Sequence, residues 1–151
     1  MHFAISGHTA AELIYTRANS TKDNMGLTSW KNSPDGLIYK YDVVVAKNYL
    51  NEEELNKLND LTNLFLVFAE DEAKERHIMT MNDWINATDD LLKFRRKQVL
   101  KDSGQISHKQ AVEKAESEYE KYRIIQDQIY LSDFDKYINE LEKLDVSNKS
   151  E

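Results

Sequence analysis

Catalytic or metal chemistry in this chain has to come from four histidines, the carboxylates and a few lysines, because no cysteine is present to supply a thiolate. His2, His8, His77 and His108 fall in no HExxH-type spacing, so a zinc site would need ligands gathered from distant segments. The best local pair is His8 with Glu12, four residues on, where an early helix start would put both on one side. His8 would then act as a base and Glu12 as its orienting carboxylate, with His77 or Glu75 as the third group a metal or acid–base site needs. The competing reading assigns Glu12 to a helix cap and His8 to ordering the loop before it. Lys31, just after Ser29 and Trp30, is the candidate electrophilic stabiliser in a polar loop, unless Trp30 only plugs a gap over the helices. Glu70, Asp71, Glu72 and Glu75 could bind a hard cation, but read equally as a solvated helix face with Arg76 four residues after Glu72. No G-x-S-x-G elbow and no GxxxxGK[ST] loop occurs, and the pattern calls for no cofactor and no metal.

Nucleic-acid chemistry has one candidate, the run Lys93, Arg95, Arg96, Lys97 and Lys101. It lies where a helix should end, so it also suits the negative end of a helix dipole. The chain as a whole carries a net charge of −7, and residues 51–105 and 106–151 are the acidic parts. Phosphate affinity comes mainly from clustered cations, so this domain is not expected to be the part that grips DNA. Tyr119, Tyr122, Tyr130 and Tyr137 alternate with Lys121, Arg123 and Lys136, but Glu113, Glu116, Glu118, Glu120 and Asp127 would repel a strand. Packing in a core or an interface suits these tyrosines better.

The elements that must position these groups are helical. Three of the four glycines and the only proline fall in the first 36 residues, which divides the chain into a loop-rich N-terminal third and a helical remainder. Thr9 with Glu12 has capping-box spacing and opens a short helix that ends near Asn19. The stretch 21–36 is loop, anchored by Leu27 and Trp30, and Asp42 caps a short helix from Val43 to Tyr49 after a few extended residues. Asn51 caps a helix to about Arg76, Thr80 caps the next, and Ser107 caps a long one to about Leu131. Ser132 with Asp135 restarts a last helix carrying Phe134, Tyr137, Ile138, Leu141 and Leu144. The fold class is all-α, a bundle of long helices in one domain over residues 1–145, followed by a disordered tail at 146–151. Core residues expected on the helical remainder are Leu58, Leu61, Phe65, Phe68, Trp84, Leu91, Leu92, Tyr122, Ile125 and Ile129. No apolar run approaches the length needed to span a bilayer, so a cytoplasmic domain with no membrane contact is expected, although the lack of cysteine is compatible with an oxidising compartment as well.

Four ordered segments carry a resemblance: GHTAAELIYTRA (7–18), MGLTSWKNSPDG (25–36), DVVVAKNYLNEEEL (42–55) and ESEYEKYRIIQDQIYLSDFD (116–135). Together they resemble the bacterial RhuM virulence-protein family. The resemblance implies the C-terminal part of a longer protein whose N-terminal part is regarded as DNA-binding, so that DNA contact would lie outside this chain and Met1 need not be a native start. It implies no reaction and no catalytic residues. The leading functional expectation is a non-catalytic domain for self-association or partner contact, through Tyr119, Tyr122, Ile129, Phe134 and Tyr137 on the long helix. The apolar side of that helix would be covered by a symmetric copy, by the absent N-terminal half, or by residues 132–144 folded back on it. The second expectation is a hydrolase or toxin-like enzyme with His8, Glu12 and Lys31 as its site within residues 7–36. The third is direct nucleic-acid contact through Arg95, Arg96 and Lys97.

Overall fold

The computed structural model describes residues 1–149 and is all-α, with no strand among them. Five α-helices succeed one another along the chain: α1 (His2–Ser6), α2 (Ala10–Arg17), α3 (Glu52–Lys74), α4 (Met81–Phe94) and α5 (His108–Lys149), with 3₁₀ turns at Asp23–Gly26 and Ala46–Tyr49. Helices cover most of residues 51–131 in three segments, as expected. Each of α2 to α5 is capped by the residue the sequence nominates. Thr9 Oγ1 accepts from the Glu12 N–H while Glu12 Oε1 accepts from the Thr9 N–H, and Thr80 with Asp83 repeats the arrangement. Asn51 accepts from the Glu54 N–H, and Ser107 from the Gln110 N–H.

Helix ends are equally local. The Arg96 N–H donates to the Lys93 carbonyl and the Lys97 N–H to that of Leu92, a Schellman closure with Arg96 in the left-handed region at φ 58°. Arg76 and His77 close α3 in the same way, at φ 56°, and there His77 Nδ1 also meets Glu72 Oε2 at 2.8 Å. The basic run around residue 95 therefore sits at the negative end of α4.

The core does not lie where the helix pattern suggested. It is formed by the loop-rich third against the first half of α5: Leu13, Ile14, Met25, Leu27, Trp30, Ile38, Val43, Tyr49 and Leu50 close on Ala111, Ala115, Tyr119 and Tyr122. Of the residues expected inside, Leu58, Leu61, Leu92 and Tyr122 are buried, whereas Phe65, Phe68, Trp84 and Leu91 are half-buried and Ile125 and Ile129 are exposed. Phe65 and Phe68 meet Trp84 in tilted ring contacts that join α3 to α4. The loops can supply a core because side chains satisfy their backbone. Lys114 Nζ donates to the carbonyls of Tyr15 and Ala18 at the end of α2, and Glu118 Oε2 accepts from the Ser20 N–H. Gly26, at φ 84°, lies against the Arg17 carbonyl so closely that any Cβ would collide with it.

Three expectations are corrected. The helix from Val43 to Tyr49 is a set of turns and one 3₁₀ turn, because the buried Asp42 carboxylate points backwards along the chain. It accepts from the N–H groups of Lys31 (3.2 Å) and Tyr39 (2.8 Å) instead of capping the residues after it. α5 does not break at Ser132 but runs on to Lys149, so residues 132–144 do not fold back. With no glycine or proline after Gly104, a mid-helix serine costs only about 0.5 kcal/mol, too little to stop it. Residues 146–149, expected as disordered tail, belong to the same helix, and Ser150 and Glu151 lie outside the described residues. The short α1, closed by Gly7 at φ 75°, was not anticipated.

Candidate functional site

The enzymatic candidates are not brought together. Glu12 is held in the α2 cap, and Gly104 of the α4–α5 connection packs on that cap, where a Cβ would meet Glu12 Oε1 and Thr9 Cγ2. Glu12 lines an open groove of about 590 Å³ with Phe3, Leu100, Lys101 and Asp102, and neither His8 nor Lys31 reaches it. His8 Nδ1 lies 3.0 Å from the Ser6 carbonyl oxygen, a contact that orders the turn between α1 and α2. Lys31 belongs to another corner: its N–H is tied to Asp42 and its Nζ lies 5.8 Å from the centre of the Tyr41 ring, which stacks on Tyr39. Trp30 is the plug over the core, with Nε1 donating to the Gly36 carbonyl. Glu70 pairs with Lys74 and Glu72 with His77. Among the described residues no group of three or more His, Asp or Glu gathers as metal ligands would. Nor is any described helix long and apolar enough to cross a membrane.

The five expected contact residues on α5 separate into two sets. Tyr119 and Tyr122 face this chain's own core, 7% and 8% exposed, and the Tyr119 hydroxyl donates to the Ile38 carbonyl. Burial raises the affinity of both phenols for their protons. Ile129, Phe134 and Tyr137 are more than half exposed. The change comes at Gln126, whose Oε1 accepts from the Ile38 N–H and whose Nε2 donates to the Ile38 carbonyl. From Asp127 to Lys149 every described residue is exposed. That stretch is about 35 Å of helix at 1.5 Å per residue, projecting from the body.

The projecting end is amphipathic. Tyr130, Phe134, Tyr137, Leu141 and Leu144 recur at steps of four, three, four and three, which places them within about 80° of one another around the helix. Leu131 and Ile138 widen this stripe on one side. On the other, Asp133, Lys136, Glu140 and Lys143 form an edge of alternating charge. Ser132 and Asn139 lie on the far face. The sequence reading names Phe134 and Tyr137 as contact residues and places Ile138, Leu141 and Leu144 on the same restarted helix. It leaves out Tyr130, because the break expected at Ser132 divides the stripe. Other exposed apolar side chains form shorter patches: Leu66 and Val67 are adjacent in α3, and Met81 and Ile85 lie one turn apart on α4.

Arg95 and Arg96 are exposed and Lys97 half-buried, all three engaged through their backbone in closing α4.

With the geometry in place, comparison with known proteins assigns the family. The pattern of the virulence protein RhuM family matches residues 1–130. The chain belongs to that family. No curated protein and no solved structure matches it. The match covers the body and reaches Tyr130, so most of the apolar stripe lies beyond the matched residues.

Proposed function

We propose that this RhuM-family chain is a non-catalytic interaction domain and that the projecting end of α5 is its contact surface. One observation carries the reading: beyond Gln126 the helix continues to Lys149 with an ordered apolar stripe, every described residue of which is exposed. Single exposed apolar residues are ordinary on a protein surface, but a contiguous stripe at core-facing helical spacing marks a surface meant to be covered. Proteins use such a face to dock on another helix or in a groove. The body supplies the rigid mount, and membership of the RhuM virulence-protein family supplies the setting. The hydrolase reading lacks support, since His8, Glu12 and Lys31 line no common cavity.

A photo-crosslinking amino acid placed at Tyr137, on the stripe, and at Asn139, on the far face, tests the proposal in cells that make the full-length protein. Discrete adducts from position 137 that are absent from 139, and that disappear with Phe134→Ser/Leu141→Ser, are expected. Equal labelling from both positions, or none from either, would overturn it.

A further inference from the structure

We infer that the stripe on α5 is covered by the same stripe of a second copy, lying antiparallel to it. This rests on the reading of the projecting end as a contact surface and names what it contacts. The argument is self-complementarity. When Phe134 of one helix is level with Leu144 of the other, Tyr137 is level with Leu141, and the apolar positions alternate down a shared seam. In that register Ile138 of each copy falls within about 3 Å of height of its counterpart, at the symmetry axis. On the opposite edge Asp133 comes within the same height of Lys143 of the second copy, and Lys136 of Glu140, each twice by symmetry. An edge written acid, base, acid, base is complementary to itself only when one copy runs backwards. A parallel pair would instead set Asp133 and Glu140 against the edge that carries Leu131, Ile138 and Asp145, with no cation for any of these carboxylates. In the antiparallel pair Asp145, beside Leu131, is the one on these edges left without a cation.

The loop of Pro34, Asp35, Gly36 and Leu37 shares an open cavity of about 140 Å³ with Ile129, Tyr130 and Asp133, so the body reaches the first turn of the stripe. The overlap is unobstructed from Phe134 to Leu144, where every described residue is exposed. The arrangement is isologous and closes on two copies, placing the bodies at opposite ends of a short antiparallel rod.

Sedimentation equilibrium of the full chain from micromolar to millimolar concentration tests this, with circular dichroism and melting to show that each variant stays folded. The mass should rise from 17.7 kDa to twice that value. Ile138→Asp, which sets two carboxylates at the axis, should leave only monomer. Lys136→Glu and Glu140→Lys should each weaken association by about tenfold, because each turns two attractions into two repulsions. An equimolar mixture of those two variants should recover the dimer, since each then faces its opposite. Loss in the single variants with no recovery on mixing would overturn the antiparallel register. A strict monomer throughout would overturn the second copy as occupant. In that case stripe-dependent adducts from Tyr137 would still uphold the interaction reading, while their absence would remove both.

Discussion

α5 is one uninterrupted helix with two different surroundings. Its first half, from His108 to Gln126, is buried along Ala111, Ala115, Tyr119 and Tyr122 by α2 and the loops of the N-terminal third. Its second half carries a bulkier apolar stripe, with Phe134, Leu141 and Leu144 in place of alanines, and has no such cover among the described residues. Both stripes follow helical spacing, so the apolar pattern alone does not distinguish the halves. What distinguishes them is the reach of the N-terminal third, which closes on the helix as far as Ile38 and Gln126. Burial in this protein is set by which segment of chain is near enough to provide it.

The comparison breaks most visibly at matched aromatic positions. Tyr122→Asp should cost about 4 kcal/mol or more, enough to unfold the body, because it empties a core site and buries an unpaired charge. Phe134→Asp should change the melting of a dilute, monomeric sample by no more than about 0.5 kcal/mol. Equal effects from the two would mean that the halves of α5 are not separate environments. The next largest effect tests the loops as core. Trp30→Ala should cost about 3 kcal/mol in denaturant unfolding, through lost packing and the lost bond to the Gly36 carbonyl. A loss well below 1 kcal/mol would return the core to the long helices.

Gln126 marks the border, and Gln126→Ala removes both hydrogen bonds to Ile38 for a cost of about 1–2 kcal/mol. Hydrogen exchange should then rise at Ile38 and along the last turns of the buried half, with little change beyond Phe134. The smallest effect is a pH dependence confined to the body. Hydrogen bonding from Ser20 holds the Glu118 carboxyl below its ordinary value, and Lys121 and Lys114 add to the shift. The folded state therefore prefers the charged form. That contribution is present above the usual glutamate range and fades as pH falls through the depressed folded value. Melting temperatures of wild type and Glu118→Gln, compared from neutral pH down to the acid transition, should converge as the pH falls. A constant difference would mean that this carboxylate does not couple folding to pH.

The sequence was legible wherever the determinant is local. Thr9, Asn51, Thr80 and Ser107 announce helix starts because a cap needs only its own side chain and an N–H three residues on. The all-α class comes from those starts and from the absence of glycine and proline beyond residue 104. Ser132 misled for a related reason: the same residue type that caps a helix also sits inside one at small cost when nothing ends the run. Asp42 misled because its partners, Lys31 and Tyr39, lie behind it in the chain.

What local pattern determined, then, was the helices, their caps and the existence of an apolar face along α5. A helix shows the same 3.5–3.6-residue spacing whether that face meets its own core or another molecule, since periodicity records that a face is apolar and not what covers it. Only the tertiary structure decided that Tyr119 and Tyr122 belong to the core while Phe134 and Tyr137 stand in the open, and that His8, Glu12 and Lys31 lie apart. The first of those outcomes depends on contacts between segments far apart in the chain, such as Ile38 with Gln126 and Ser20 with Glu118. Long-range closure of this kind is chosen by the packing of the whole chain and leaves no mark in the spacing of any one segment.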